Sequence, residues 1–97
     1  MKINFYLKIK GFVLLSEEQI NIIHKKIGSN IAKIRKEKHY SQLKLSLEMG
    51  HSSVSLVSFA EINLKGTHFN IEHLLQIAHI LNVDIARFFD GINLTQN

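Results

Sequence analysis

Tyr40-Ser41-Gln42-Leu43-Lys44-Leu45-Ser46-Leu47-Glu48-Met49-Gly50-His51-Ser52-Ser53-Val54-Ser55-Leu56-Val57-Ser58-Phe59-Ala60-Glu61 is the stretch whose reading decides the fold. Ser41 is a good N-cap, because its hydroxyl oxygen can accept a free N–H of a helical first turn. A helix is therefore expected over 42–49, with Leu43, Leu45, Leu47 and Met49 as its apolar positions and Leu45 and Met49 one turn apart. Gly50 is placed to stop that helix in a left-handed conformation. Ser52 or Ser53 would cap a third helix, 53–62. Two short helices about a tight glycine-containing bend make a bihelical unit.

Outward from this unit, the pattern is mainly helical. Ser16-Glu17-Glu18-Gln19 has the form of a capping box, with Leu15 and Ile20 able to form a staple across it. Ile20, Ile23, Ile27, Ile31 and Ile34 then recur at helical steps, predicting one long helix to about Lys38, with Gly28-Ser29-Asn30 as a weak point for a kink. Downstream, 63–69 reads as a loop containing Gly66. Asn70 caps a fourth helix whose inner face is Leu74, Ile77, Ala78 and Leu81, and Asn82 is suited to a left-handed stop. Asp84 caps a last short helix with Ile85, Phe88 and Phe89 turned inward, and 91–97 reads as a flexible tail.

At the other end, Ile3, Phe5, Leu7 and Ile9 alternate with Asn4, Tyr6, Lys8 and Lys10, the period of a half-buried strand. Phe12–Leu15 is too short to be a second good strand, so residues 1–15 are expected to find a partner elsewhere. A second copy of the chain, pairing through Ile3, Phe5, Leu7 and Ile9, is the neatest solution. Folding over the chain's own helices and docking on another protein are the other two.

Ninety-seven residues suit one small core, and the apolar content of 45% is ordinary. The net charge is +4 and the isoelectric point near 9.5, which suits a polyanionic partner. Lys25, Lys26, Lys33, Arg35, Lys36, Lys38 and Lys44 face only Glu37 in their stretch, so the basic block abuts the bihelical unit. With no cysteine, disulfides and thiolate zinc sites are excluded. Lys8 and Lys10 interrupt any leader-like apolar core at the start, and no apolar run reaches membrane-spanning length. The expected location is the cytoplasm.

The ordered set Arg35, Ser41-Gln42, Gly50, Glu61 and Leu74-Leu75-Gln76-Ile77-Ala78-His79-Ile80-Leu81-Asn82-Val83-Asp84 resembles the Cro/C1-type (XRE-family) helix-turn-helix domain. The likeness runs from about Ile27 to Asp90. It implies a mainly α, five-helix, lambda-repressor-like fold, here with an N-terminal β-strand extension, and a helix-turn-helix domain over 16–90. It also implies a prokaryotic transcriptional regulator, with the second helix of the motif in the DNA major groove and a homodimer on a palindromic operator. The size and ending resemble the controller proteins of restriction–modification systems. From the same resemblance comes an ion pair between Arg35 and Glu61.

Two features depart from the family. Gly50 to Glu61 is one residue longer than the family's interval, so either Glu61 sets the register, with Val57 and Ala60 inward, or Gly50 does, with Leu56 and Phe59 inward. The first is favoured, because an extended turn is tolerated more easily than a displaced ion pair. Moreover, 53–60 holds no Arg, Lys, Asn or Gln, the residues of the strongest base-edge pairs. Base reading would fall to Gln42, to apolar contacts with thymine methyls, or to DNA shape. The expected DNA-contacting set is Ser41, Gln42, Lys44, Ser52, Ser53, Ser55, Leu56, Ser58, Phe59 and Lys65, with Lys36 and Lys38 on phosphates.

Enzymatic readings find no frame. No base is oriented toward Ser52, Ser53, Ser55 or Ser58. His68, His73 and His79 are not spaced for one helical face, so no metal and no cofactor is expected. The rival reading to a regulator is an antitoxin-like protein-interaction module, with the same scaffold and weak or no DNA binding.

Overall fold

A computed structural model describes the backbone of residues 7–9 and 12–14 and the whole of residues 15–94. Four α-helices are present among them: α1 Glu17–Glu37, α2 Gln42–Glu48, α3 Ser55–Glu61 and α4 Ile71–Leu81. Two 3-10 segments, Leu64–Gly66 and Ile85–Phe89, follow α3 and α4. Two three-residue strands, β1 Leu7–Ile9 and β2 Phe12–Leu14, precede α1.

The caps explain where the helices begin. Ser16 accepts from the Gln19 backbone N–H at 3.1 Å, while the Gln19 side chain accepts from Ser16 N–H. Asn70 and His73 make the same reciprocal pair at the start of α4. Asn82 ends α4 in the left-handed region. Contrary to the expected weak point, α1 runs unbroken through Gly28-Ser29-Asn30.

The five-helix fold with an N-terminal strand extension is corrected on both counts. Ile85–Phe89 is a 3-10 segment, not a fifth α-helix. Asp84 accepts from Ala86 N–H, and the backbone bonds Arg87→Asp84 and Asp90→Arg87 close three-residue rings in a segment too short to develop an α-helical ladder. Phe89, expected inward, is exposed. Of the strand expected over 2–10, residues 2–6 and 10 lie outside the described residues, and the described part is the short β1, Leu7–Ile9. β1 pairs antiparallel with β2 in the register Leu7↔Leu14, Lys8↔Val13, Ile9↔Phe12. A strand must satisfy its backbone donors and acceptors, and the nearest segment in sequence does so at the smallest loop-closure cost. Thus the premise that the chain offers no second strand fails. Of the four residues assigned to dimer pairing, Ile3 and Phe5 lie outside the described residues, and Leu7 and Ile9 lie on β1.

The core gathers Ile27, Ile31 and Ile34 of α1, Leu45 and Met49, Val57 and Ala60 of α3, Phe69, Leu74, Ile77 and Leu81 of α4, and Phe88. Ile20, at the start of the isoleucine stripe, is exposed, as are Leu43 and Leu47 on the outer side of α2. Asn30 bonds Phe88 O and Asp90 O, both at 2.9 Å, holding the C-terminal segment against α1.

Gly50 ends the α2 region with φ +89° and has open space where a Cβ would stand. The cost of Gly50→Ala is therefore backbone strain alone, about 1–2 kcal/mol. The urea midpoint is expected to fall accordingly with an unchanged slope, and an unchanged midpoint would contradict the assignment.

Candidate nucleic-acid interface

The bihelical unit is held by its own polar groups. Ser41 Oγ accepts from Lys44 N–H at 2.9 Å, and Ser46, fully buried, donates its hydroxyl to Gln42 O at 2.8 Å. Between the helices, Gly50 turns the chain and His51–Val54 form a bent connection, with Val54 already in the right-handed helical region. α3 then starts two residues later than the predicted 53. Val54 is its N-cap and makes no side-chain cap, while Ser53 Oγ accepts weakly from Ser55 N–H at 3.3 Å. Two-residue local bonds of this kind hold a serine in a turn instead of a helix.

Helix α3 follows the glutamate-anchored register. Val57 and Ala60 are fully buried and Glu61 is buried. Ser55, Ser58, Phe59 and Ile62, spaced at three- and four-residue steps, form the opposite face. Phe59 keeps 43% and Ile62 59% of their surface in solvent. Leu56 lies at the margin, half-buried against the core.

Arg35 locks this helix in place. Its Nε donates to Glu61 Oε2 at 2.7 Å and one terminal nitrogen to Glu61 Oε1 at 3.1 Å, a two-point fork. Its other terminal nitrogen donates to Tyr40 O at 2.7 Å. Gln42 Nε2 completes the set by donating to Glu61 Oε1 at 2.8 Å. One carboxylate therefore joins α1, the start of α2 and the end of α3. Gln42, a candidate base reader, is half-buried and also a strut.

Positive charge borders the same place. A cleft of about 420 Å³ is lined by Lys25, Ser29, Ala32, Arg35 and Lys36 of α1 together with Gln42, Glu61 and Ile62. Lys36 is thereby beside the end of α3. Lys25 was not among the expected contacts, although positions 25, 29, 32 and 36 share one helical face and that spacing is visible in the sequence. Lys44 lies elsewhere, its Nζ 4.3 Å above the Tyr40 ring. Lys38 is exposed at the C-cap of α1, and Lys65 is exposed with φ +51° in the 3-10 turn after α3. Ser52 and Ser53 are exposed in the connection. The structure brings Ser55, Ser58 and Phe59 together on one face, Gln42 to its end, and leaves Lys38, Lys44 and Lys65 outside the cleft.

Four histidines pair outside this surface. His24 and His68 stack with ring centroids 3.9 Å apart. His51 and His73 meet edge to face at 6.0 Å. Burial, and then the neighbouring His68, lowers the pKa of His24. His73 is lowered by burial and then by His51, with Glu72 opposing. A protonated His73 would also lose the Nδ1 lone pair that accepts from Asn70 N–H. Since the unfolded histidines bind protons near the ordinary value and the folded ones resist, unfolding takes up protons below about pH 6.5. Stability is thus expected to be full above that pH, to fall as the pH drops toward 5, and to level off below the folded pKa values. The double variant His24→Gln, His73→Gln should flatten the dependence, because glutamine preserves the capping acceptor. A wild-type urea midpoint constant between pH 7.5 and 5 would refute this. Among the described residues, no group of three or more His, Asp or Glu side chains is arranged to hold a metal ion.

No helix among the described residues is long and apolar enough to cross a membrane. The family model described as helix-turn-helix matches residues 31–88, the segment from the middle of α1 to Phe88. No curated protein and no solved structure matches the chain.

Proposed function

The chain belongs to the Cro/C1-type helix-turn-helix family, and from that premise we propose that it is a sequence-specific transcriptional regulator that lays α3 in the DNA major groove. The family is one of DNA-binding, generally non-enzymatic regulators. The observation that carries the specific reading is the outward face of α3. Ser55, Ser58, Phe59 and Ile62 are presented by a helix fixed through Glu61 to α1 and α2, with Lys25 and Lys36 in the cleft at its end. A rigid helix with cations at its border is what groove reading with phosphate positioning requires. Lys36, Lys38, Lys44 and Lys65 are the proposed phosphate partners, with Lys25 added. Ser41, Gln42, Ser52, Ser53 and Leu56 complete the proposed contact set.

A seven-residue reading helix covers few base pairs, which favours a homodimer on a palindromic operator, its half-sites about 34 Å apart. Residues 1–15 remain the segment proposed for dimerisation, now not because β1 lacks a partner but because, among the described residues, β1 pairs on one edge only, with β2, and a second copy could add to the other. A dimer that persists in sedimentation after removal of residues 1–15 would overturn that assignment. The proposed location is the cytoplasm of a prokaryotic cell, on the nucleoid.

Selection from random duplexes at moderate salt tests the reading, which expects enrichment of a palindromic site. A second reading, the antitoxin-like interaction module, is favoured by the exposed apolar side chains Leu43, Leu47, Ile71 and Leu75. It expects no enriched sequence and a protein partner that stays bound through purification.

A further inference from the structure

We propose that α3 selects its site mainly by the C5 methyl groups of thymine, with Phe59 as the residue that determines the choice. This inference rests on the groove-docked reading of α3. In the major groove, thymine is the base that presents a methyl group beside its acceptor, and apolar side chains recognise it by contact. The outward face of α3 offers two hydroxyls and two apolar side chains, with no amide, guanidinium or ammonium. Ser58 donates its hydroxyl to Ser55 O at 3.3 Å, leaving it an acceptor, and serine accommodates every base in any case. Gln42, the amide that α2 offers, is half-buried with its nitrogen on Glu61. Ser41 and Ser53 accept from backbone N–H groups of their own turns.

The apolar contribution is therefore the discriminating one. Phe59 stands one turn after Ser55 on the centre of that face, 43% exposed although large and aromatic. Ile62 extends the face toward the Lys25 and Lys36 cleft. Phe59 leaves this apolar surface in water, and closure against a methyl-bearing groove removes apolar surface from water on both sides. A C5 methyl in contact contributes about a 4-fold gain in affinity, and a palindrome with one such thymine per half-site about 16-fold.

The test uses the full chain and the site enriched from random duplexes. Each thymine in the site is replaced in turn by deoxyuridine, which removes the methyl and leaves pairing unchanged. Expected are enriched thymines in each half-site, a thymine-to-uracil affinity ratio of about 4 at one or more of them, and a ratio near 1 in Phe59→Ala. Phe59→Leu should keep an intermediate ratio. Because the readout is a ratio on one protein, a general loss of affinity or folding does not mimic it. An enriched site with ratios of 1 throughout, or a ratio untouched by Phe59→Ala, overturns the inference and leaves the regulator reading standing. The absence of any enriched site overturns the regulator reading itself.

Discussion

Glu61→Ala is expected to remove about 3–5 kcal/mol of stability, because it strands a buried arginine. The Arg35 and Glu61 side chains retain only 7% and 4% of their surface in solvent, so water cannot replace the lost carboxylate without opening the structure. Two of the three bonds made by Arg35 end on Glu61, and Gln42 loses its acceptor as well. A contrasting variant separates this cause from simple loss of packing. In Arg35→Met, Glu61→Leu no charge is left unpaired, so its loss should be well below the sum of the two single losses. Additive losses in urea titrations would contradict the account of the pair. By comparison, the exposed pair Arg87–Glu37 at 3.0 Å, with both side chains more than two-fifths in solvent, should change stability by less than about 1 kcal/mol when broken.

Gly28→Ala should be the next most damaging change, at about 2–3 kcal/mol. In an exposed helix the same substitution stabilises by up to about 1 kcal/mol, so the sign alone is informative. Here a Cβ would stand 2.4 Å from Ala60 O and 2.7 Å from Glu61 O. Those are backbone atoms at the end of α3, which cannot turn aside as a flexible side chain would. α1 and α3 would have to separate, and the Arg35–Glu61 fork spans that same contact. Thermal unfolding should shift downward by roughly 8–20 °C for a domain of this size. A midpoint at or above that of the wild type would show that the close approach is not rigid. The variant should also bind DNA less well than its stability loss alone explains, since α3 is displaced with its reading face.

Of the two contacts that fix α3 on α1, the sequence made the ion pair legible and hid the close backbone approach. Arg35 and Glu61 could be paired because the family resemblance orders them, and the same pair chose the register of α3 over the alternative set by Gly50. Gly28 looked like a weakness because a lone glycine in a helical pattern carries no sign of what packs on it; only the third dimension supplies Ala60 and Glu61. The caps Ser16, Ser41, Asn70, Asn82 and Asp84 were readable because capping is a local hydrogen-bond exchange within three or four residues. The type of the last helix was not, since Asp84 opens α- and 3-10 turns alike. The N-terminal strand misled for a related reason. Alternation reports that a segment is extended, not which segment pairs with it, and Leu7–Ile9 pairs antiparallel with the nearby Phe12–Leu14. At the site, Ser55, Ser58 and Phe59 were placed on the outer face by helical geometry once Glu61 was fixed. Lys25 is far from the motif in sequence and reaches the end of α3 only because positions 25, 29, 32 and 36 share one face of α1.

The central claim, that a helix-turn-helix unit with an uncharged reading face still discriminates DNA sequence, is tested most directly by equilibrium titration of two labelled duplexes. One carries the selected palindrome and the other the same bases shuffled, both at one stated salt concentration near physiological. Specific regulators bind their sites about 10³-fold or more tightly than unrelated DNA, and the account predicts a ratio in that range. Equal affinities for the two duplexes, with both weakening together as salt rises, would reduce the interaction to phosphate contacts alone and contradict it.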